Sequence, residues 1–413
     1  MKDADAVRNL KDIVARYKDE DIMLVVSAMG KTTNMLESIL ANFRKASSTP
    51  EFTDMKQVTE YHENIITNLF EKDKVDAVIE KVSELFVELY EKLAEQGQDY
   101  DYQYDQTVSY GELISTTIIA AYLNESGIPT RWLDARKYVV TDTCFRSASI
   151  DWDETRLNIV KLNEEHVRGL VCLTQGFIGS TDKGRCATTL GREGSDFSAA
   201  IFANCLDAEE VTIWKDVDGL LNADPKRFPN TVKIPHIAYS EAIELAFYGA
   251  TIIHPKTIKP LQNKGIRLKI QSFVNPDSEP TLIDGNKPKE KTVPSFIVKD
   301  KQMLVSISPR DYSFMNEHNL QVIFSVCDQL HIHSNMIQTS ALTLSFCFDA
   351  DNDKISQLIE CLTDGFLVKY NDGLQLFTIR HYRNGDENDF IKGKRVFVKQ
   401  SSRSTLQFVL GTM

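Results

Sequence analysis

The sequence has no excess of basic residues. Its 413 residues contain 47 Lys and Arg against 59 Asp and Glu, which gives a formal net charge of −12. Because phosphate backbones and anionic lipid surfaces attract basic protein faces, this balance argues against nucleic-acid and membrane partners. Long apolar runs are also missing, since none approaches the roughly 18 residues that a membrane-spanning helix requires. We expect no signal peptide in the opening MKDADAVRNL.

Cysteine pairs with metal-binding spacing are missing as well. The seven cysteines are scattered, and no two of them form a Cys-x-x-Cys pair. This spacing argues against a zinc site, and we assign no set of metal ligands in the sequence. An odd number of scattered thiols fits a reducing compartment, so we expect a cytoplasmic protein. Apolar residues make up 42% and charged residues 26%, which is ordinary globular usage and excludes wholesale disorder.

The first two-thirds of the chain alternates short apolar runs with helical patterns. Continuous apolar runs separated by helices are typical of strands that are covered on both faces. We therefore predict an α/β fold with an open, mostly parallel sheet. Apolar residues at three- and four-residue steps over 53–95 predict two amphipathic helices. The predicted strands are Ile22–Val26, Leu170–Leu173, Val211–Trp214 and Ile266–Ile270.

The composition changes over 276–297, where proline and charged residues replace apolar ones. Such a stretch is typical of a linker, which we place at 281–297. It separates a domain at 1–280 from a region at 298–413.

The region after the linker follows the order strand, helix, strand, strand, helix, which is ferredoxin-like. Three later strands indicate a second copy of the same small unit. The first unit is predicted from Val305–Ile307, Asn319–Leu330, Ile332–Ile337, Leu342–Phe348 and Asp353–Leu362. The later strands are predicted at Leu374–Tyr382, Arg395–Val398 and Thr405–Val409.

The segment TTLGREGSDFS, at 188–198, is the most informative motif. Its glycines allow backbone amides to approach an anion at the start of the following helix, and Arg192 can bind a carboxylate or a phosphate. Ser195 and Asp196 stand where a helix N-cap is expected. By itself, a capped helix after a flexible loop is the more ordinary interpretation.

Three other segments carry candidate site residues. In SYGELIST, Glu112 lies in the first turn of an apolar helix, where it either complements the helix dipole or accepts a substrate ammonium group. In VSAMGKTTN, hydroxyls such as those of Ser27 and Thr33 follow a strand end, the usual place for ligands in open α/β sheets. In WKDVDGLLNADPK, Asp216 and Asp218 either face a nucleotide or form a solvated turn.

Taken together and in this order, the motifs resemble the aspartokinases of the amino-acid-kinase superfamily. The matching segments are VSAMGKTTN, VSYGELIST, LTQGFIGS, TTLGREGSDFSAA, WKDVDGLLNADP and GATIIHPKTI, and they span about residues 21–260. The C-terminal region resembles the paired ACT domains of that family. The resemblance implies an amino-acid-kinase catalytic domain at 1–280 and two regulatory ACT-like units at 298–413.

The resemblance also implies an activity. The family transfers the γ-phosphoryl group of ATP, with Mg²⁺, to the β-carboxylate of L-aspartate and forms 4-phospho-L-aspartate. This is the first step of lysine, threonine and methionine biosynthesis. By resemblance, Asp196 is the catalytic aspartate. The implied aspartate-binding residues are Ser27, Thr33, Glu112, Arg192 and Ser195, and the implied nucleotide-binding residues are Lys215, Asp216, Leu221 and Lys226.

For the C-terminal region, the resemblance implies a homodimer formed through ACT domains and an amino-acid effector, either lysine or threonine. Relatives that sense lysine often carry acidic residues where this sequence has Asn335 and Ala341. The ordinary alternative is a set of surface loop and strand-end residues. The implied effector-binding residues are Ser313, Asn316, Leu320, Ser334, Asn335 and Ser340.

Three departures from the family pattern are visible. The family opens with a strand bearing K-F-G-G-T-S, whereas this sequence opens at MKDADAV and contains no Gly-Gly pair. Thr251 stands where many relatives have Lys, so a second cation is missing. Glu193 stands where many relatives have Gly, and this change alone we interpret as tolerated variation. Because lost phosphate-binding cations cost several powers of ten in rate, we expect either a longer natural N-terminus or a poor catalyst.

Two alternatives to the aspartokinase hypothesis remain. The first is a kinase for a related small acid such as glutamate, against which the tandem ACT-like region argues. The second is a catalytically impaired amino-acid sensor, which is expected if the departures are real losses of phosphate-binding groups.

Overall fold

The computed structural model describes residues 1–45, 53–95, 97–164, 169–181, 186–250, 253–288 and 292–412. The chain forms two compact units. Unit 1 comprises Met1–Asp218 and Ile253–Gly285, and unit 2 comprises Gly219–Ile252 and Asn286–Met413.

The described residues form helices and strands in an alternating order. The helices are α1 (Ala4–Ala15), α2 (Thr32–Lys45), α3 (Thr53–Leu69), α4 (Lys72–Ala94), α5 (Tyr100–Glu125), α6 (Trp152–Glu164), α7 (Gly194–Leu206), α8 (Tyr239–Tyr248), α9 (Pro255–Lys264), α10 (Glu317–Gln329), α11 (Asn352–Leu362) and α12 (Asn388–Ile391). The strands are β1 (Met23–Val26), β2 (Thr130–Leu133), β3 (Val171–Gln175), β4 (Ile178–Thr181), β5 (Cys186–Thr189), β6 (Glu210–Lys215), β7 (His236–Ala238), β8 (Arg267–Ser272), β9 (Thr281–Asp284), β10 (Ser295–Pro309), β11 (Ser334–Thr339), β12 (Leu344–Asp349), β13 (Phe366–Arg380), β14 (Lys394–Ser401) and β15 (Thr405–Thr412).

Unit 1 contains the predicted parallel strands, and this part of the fold prediction is confirmed. Strands β1 and β2 both pair in parallel with β3, which lies between them, and β6 pairs in parallel with β8. Strand β9 then runs antiparallel to β8, and β4 and β5 form a hairpin. The prediction missed β2, because the four-residue sequence TRWL shows neither a long apolar run nor a clear alternation.

Helix α5 is the central helix of unit 1. Most of its length is buried, including polar side chains such as Asp105, Gln106 and Glu112. It packs closely on the turn after β1, where a Cβ on Gly111 would come 3.1 Å from the Cβ of Ala28. A helix that is buried all around is not amphipathic, so its polar residues need internal partners or a ligand.

Unit 2 is built on one antiparallel sheet with the order β11-β12-β10-β13-β15-β14. The elements from β10 to β13 have the ferredoxin-like connection that the sequence predicts. The predicted short strand Val305–Ile307 is wrong in length, since it belongs to the fifteen-residue strand β10. Strand β13 has the same length and pairs with β10 along both halves, with register shifts between Lys299 and Leu304. These shifts divide the long β10–β13 pair into two halves, and the assignment of the halves to two ACT-like units stays a prediction.

The domain boundaries differ from the predicted ones in two places. The predicted linker at 281–297 begins with β9, which pairs with β8, and ends inside β10. The segment 219–252 groups with the C-terminal unit, although the sequence places it in the catalytic domain. Phe228 in this segment packs on the sheet residues Phe296 and Phe377 through an apolar cluster. A sequence pattern shows that such a residue is apolar but not which sheet buries it.

Among the described residues, no helix combines the length and the apolar character that crossing a membrane requires.

Candidate active site

The carboxyl ends of β1 and β3 meet the start of α7. The backbone N–H of Gly176, just after β3, donates to the carbonyl oxygen of Val26 at 2.8 Å. A Cβ on Gly176 would come 2.6 Å from the Cβ of Ser195, so only glycine allows α7 to approach the sheet this closely. Ser27, which follows β1, and Ser195 therefore lie at the same edge of the sheet. This edge receives the N–H groups and positive dipole end of α7, which favour an anionic ligand.

Glu112 is a buried carboxylate beside this edge. Its side chain is 2% exposed, and its Oε1 accepts a long hydrogen bond of 3.3 Å from the backbone N–H of Ala28. Its Oε2 has no hydrogen-bond partner within the described structure. Burial raises the pKa of Glu112 to about 8. The neighbouring Ser115 Oγ donates to the Ser27 carbonyl oxygen at 2.8 Å, which fixes α5 on the strand end. An unpartnered buried carboxylate of this kind can accept a cationic group of a ligand.

Glu112→Gln should stabilise the free protein at neutral pH. The folded-state pKa of Glu112, about 8, lies above its ordinary value of 4.5, so folding takes up a proton between these pH values. The stability from this group is full below about pH 4.5 and is lost as the pH rises toward 8. Removing the titration should stabilise the fold by about 3 kcal/mol at pH 7. Thermal unfolding of both proteins from pH 4.5 to 8 checks this, and a melting-temperature difference that does not grow with pH would contradict it.

Asp196 and Lys215 form an ion pair at the same end of α7. Lys215 Nζ donates to Asp196 Oδ2 at 2.7 Å, and the two side chains are 26% and 14% exposed. Burial raises the pKa of Asp196, and the Lys215 charge opposes this rise. The sequence assigns Asp196 to catalysis and Lys215 to the nucleotide. The structure brings the two groups into contact, so a cation stands directly beside the predicted catalytic carboxylate.

Glu193 is a site residue whose role sequence reasoning missed. It adopts left-handed backbone angles, φ 53° and ψ 33°, immediately before α7. Such a conformation explains why glycine is usual at this position of the motif. Burial raises the pKa of Glu193, while Lys215 and the backbone N–H of His254 oppose the rise. Its Oε2 is buried without a hydrogen-bond partner in the described structure. Glu193 therefore adds a second carboxylate beside Asp196 and Lys215.

Arg192 has cationic and imidazole neighbours. It is exposed, and His254 lies near enough for the charges of Lys256 and Arg192 to lower the pKa of His254, after the larger effect of burial. His254 is the N-cap of α9, and its Nδ1 accepts from the Lys256 N–H at 3.2 Å. Lys256 Nζ also lies 3.3 Å from Ser147 Oγ. His254 therefore lies beside two cationic side chains, Arg192 and Lys256.

Asp105 was also missed by sequence reasoning. It is fully buried on α5 and accepts hydrogen bonds from the N–H and the hydroxyl of Thr189, at 2.8 and 2.7 Å. It accepts two more from the backbone N–H of Arg146, at 3.1 and 3.0 Å. Burial raises its pKa, and these donors oppose the rise. Asp105 thus ties α5 to the strand end that leads into the Arg192 loop. The sequence predicts Glu112 in the first turn of its helix, which is wrong, because α5 begins at Tyr100 and Glu112 lies near its middle. With this earlier start, Asp105 lies seven residues, or about two turns, before Glu112 on the same helix, and this spacing is the signal that could have indicated it.

Comparisons with known proteins show the family of this chain. A family model described as "Amino acid kinase family" matches residues 1–272. Lysine-sensitive aspartokinase 3 of Escherichia coli is 30% identical over 356 residues, which cover 84% of this chain and 76% of that protein. The chain belongs to the amino acid kinase family, among the aspartokinases.

A second relative and two solved structures extend the comparison. Chloroplastic aspartokinase 1 of Arabidopsis thaliana is 28% identical over 86% of this chain, and the chain spans only 63% of that relative's length. The structure of E. coli aspartokinase III in complex with aspartate and ADP has a TM-score of 0.80 and 26% identity, and the match covers 99% of this chain and 93% of that one. The lysine and aspartate complex of the same E. coli protein has a TM-score of 0.75, covering 98% and 93%.

The predicted nucleotide residues of this aspartokinase-family chain fall in both compact units. Lys215 ends β6, and the exposed Asp216 follows it in unit 1. Leu221 is half-buried and Lys226 exposed in unit 2. Their grouping around one nucleotide stays a prediction. Thr33, which is predicted to bind the substrate aspartate, is half-buried in the first turn of α2 and close in sequence to Ser27. Thr251, where the family often has Lys, lies outside the described residues.

The predicted effector residues form two groups at opposite ends of β11. Asn316 caps α10 by accepting from the Asn319 N–H at 2.9 Å, and the adjacent Met315 N–H donates to the Ala341 carbonyl oxygen at 2.9 Å. This bond brings the loop at 313–316 next to Ser340. The half-buried Leu320 packs on the core of this unit. Ser334 and Asn335 lie at the other end of β11, roughly 17 Å away along an extended strand.

Asn335 is already engaged in a polar cluster. Its Oδ1 accepts from Lys299 Nζ at 2.8 Å, and its amide donates to Gln302 Oε1 at 2.8 Å and to Asp349 Oδ1 at 3.0 Å. Any ligand that binds Asn335 must compete with these bonds.

Proposed function

We propose that this chain transfers the γ-phosphoryl group of ATP to the β-carboxylate of L-aspartate, giving 4-phospho-L-aspartate and ADP. In this step a carboxylate oxygen forms the new bond to phosphorus, and the bond from the γ-phosphorus to the β,γ-bridging oxygen breaks. A carboxylate is already a competent nucleophile, so the site needs alignment and charge neutralisation rather than a strong base. The observation that carries the proposal is that Glu112 is buried at the candidate site of an aspartokinase-family chain and that its Oε2 has no hydrogen-bond partner among the described residues.

The aspartate pocket follows from the charges around the sheet edge. Glu112 would accept the substrate ammonium group, which would favour its ionised form and lower its raised pKa. Arg192 would bind the substrate carboxylate by two parallel hydrogen bonds. The hydroxyls of Ser27, Thr33 and Ser195 would complete the pocket. An acceptor for the ammonium group and a donor to the carboxylate together select an amino acid, and the similar E. coli aspartokinase III structure is a complex with aspartate and ADP.

The reacting end of the site would be organised by Asp196 and Lys215, which are already paired at 2.7 Å. Lys215 and Lys226 offer charges that would neutralise ATP phosphates, and Asp216 and Leu221 would line the nucleotide. The described residues contain no cluster of three or more side chains suited to a metal ion. Magnesium commonly binds through substrate phosphates and one or two carboxylates, and Asp196 with Glu193 would hold it here. When bound, the ion would neutralise charge on the transferring phosphoryl group.

A homodimer formed through the ACT-like units would complete the effector site. The predicted effector residues stand in two groups at the two ends of β11, and this strand lies at one edge of the sheet. Two apolar side chains near the first group, Tyr312 and Phe314, are 85% and 74% exposed. Pairing of two copies would cover them and bring groups from both chains together. Lysine is the first effector candidate because an E. coli relative is crystallised with it, and threonine is the second.

A reducing compartment, the cytoplasm, would suit this protein. All seven cysteines are free, and Cys205, Cys327 and Cys347 are buried. Cysteines that form no disulfide stay reduced in such a compartment.

Trapping of the acyl phosphate by hydroxylamine tests the proposed activity. We expect ATP- and magnesium-dependent hydroxamate formation with L-aspartate and much less with L-glutamate. A preference for glutamate would favour the related-acid alternative. Binding of lysine or threonine without any turnover would favour the impaired sensor. Adding lysine or threonine to the active assay identifies the effector.

A further inference from the structure

The segment that carries the predicted nucleotide residues Leu221 and Lys226 is a closed loop. We call residues 220–234 the nucleotide loop. The Asn222 N–H donates to the Val232 carbonyl oxygen at 2.9 Å, and the Val232 N–H donates back to the Asn222 side-chain oxygen at 2.7 Å. At the tip, Asp224 accepts from the Lys226 N–H at 2.9 Å. The bonds at its base and tip fix how this loop presents Lys226.

The nucleotide loop is attached to β10 through Asn222. The side-chain amide of this buried residue donates to the Pro294 carbonyl oxygen at 2.9 Å. Its backbone carbonyl accepts from the Phe296 N–H at 2.7 Å, and the next residue, Ala223, forms a parallel bridge with Phe296. Asn222 therefore bonds to the loop with one end of its amide and to Pro294, the residue just before β10, with the other.

Two further contacts join the loop to the same strand. Arg227 forms a two-pronged ion pair with both carboxylate oxygens of Asp300. The ring of Phe228 stacks on that of Phe296, with centroids 5.8 Å apart and planes at 25°. The loop thus contacts β10 by a buried amide, an exposed ion pair and an aromatic stack, spread over residues 294–300.

Strand β10 continues beyond this contact into the first ACT-like unit. Met303, Val305 and Ile307 of β10 are fully buried in the core of that unit. The register shifts between Lys299 and Leu304 lie between the two halves. A shift of the regulatory half can therefore reach the nucleotide loop through one continuous strand, without an intervening flexible segment.

We infer that Asn222 is a positioning residue for the nucleotide, through which the regulatory strand β10 sets the position of Leu221 and Lys226. The inference rests on the proposed function, because it assumes that these two residues bind ATP. It assigns to the Arg227–Asp300 pair the same role at the loop surface. Nucleotide affinity should then depend on residues of β10 that do not touch the nucleotide.

Asn222→Asp tests this inference with little change in shape. The new carboxylate can still accept the hydrogen bond from the Val232 N–H. It cannot donate to the Pro294 carbonyl oxygen, and one of its own oxygens would instead face that carbonyl oxygen. We expect the Kd for ADP, by calorimetry, and the KM for ATP to rise about five- to tenfold, with the KM for aspartate within about twofold of wild type. Asn204→Asp is the matched control, because Asn204 is buried in unit 1 and donates to the Pro260 carbonyl oxygen at 2.8 Å. Equal weakening of ADP binding in both variants would overturn the inference.

A double-mutant cycle on the surface pair keeps the test decisive if Asn222→Asp does not fold. Asp300→Ala should raise the Kd for ADP about two- to fivefold, and this effect should vanish in the Arg227→Ala background. Additive effects of the two substitutions, or no effect of Asp300→Ala, would overturn the inference. A wild-type protein that does not bind ADP would instead contradict the proposed function.

Discussion

Arg192→Ala should raise the KM for L-aspartate by about a hundredfold or more and leave the KM for ATP nearly unchanged. In the proposed pocket, the substitution would remove a charge-assisted, two-pronged hydrogen bond to the substrate carboxylate, while the buried Glu112, the proposed acceptor for the ammonium group, would remain. Arg192 is exposed, so its truncation should not disturb the core. Initial-rate kinetics with each substrate varied in turn measure the two KM values.

Two variants define the specificity of that result. Arg192→Lys keeps the charge but not the planar fork, so its KM for aspartate should lie between those of wild type and the alanine variant. Arg16→Ala is the matched control, because Arg16 is also a surface arginine of unit 1 and pairs with Asp277 at 2.7 Å, outside the proposed site. A normal aspartate KM in Arg192→Ala would show that the pocket is assigned incorrectly.

Asp196→Asn should lower kcat by about a hundred- to a thousandfold, with smaller changes in both KM values. The substitution neutralises the carboxylate that pairs with Lys215 at 2.7 Å at the start of α7. It leaves Lys215 without this charged partner and changes the group that we propose to organise the phosphoryl transfer. Losses of this size are typical when one electrostatic group of an active site is removed. Hydroxamate formation at saturating ATP and aspartate gives kcat.

The other end of the same helix supplies the control for this prediction. Asp207 caps the C-terminus of α7 in left-handed backbone angles, which asparagine also tolerates, and its carboxylate pairs with Lys264. Asp207→Asn removes an Asp–Lys pair from α7 just as Asp196→Asn does, but at the far end from the site. Its kcat should remain within about twofold of wild type. A similar loss in both variants would mean that helix stability, and not the site, explains the effect.

The comparison of sequence and structure is clearest in the regulatory region. Helices α10 and α11 lie within two residues of their predicted bounds, because apolar periodicity and capping residues are local signals. The lengths of β10 and β13 were not predictable in the same way. Each is fifteen residues long because it pairs with the other along nearly its whole length, and the pairing joins residues about 60 to 85 positions apart.

In the candidate site, too, some features could be predicted from local motifs and others depended on tertiary packing. The motifs alone pointed to Glu112, Arg192 and Asp196. They placed Asp196 correctly at a helix start, whereas Glu112, which they placed in a first turn, lies near the middle of α5. They could not show that Glu112 would be buried without a partner, nor that Lys215 would pair with Asp196. Burial and ion pairing depend on which distant segments cover a side chain, and a single sequence does not state this.

What the sequence by itself determined is the class of the fold, the order of most of its elements and the family to which its motifs belong. These follow from local periodicity and from motifs in a fixed order. Only the tertiary structure decided the raised pKa of Glu112, the carboxylate of Glu193 beside Asp196, and the attachment of the nucleotide loop to β10. Each of these depends on the packing of segments that are distant in the chain, because desolvation and hydrogen bonding act between neighbours in space.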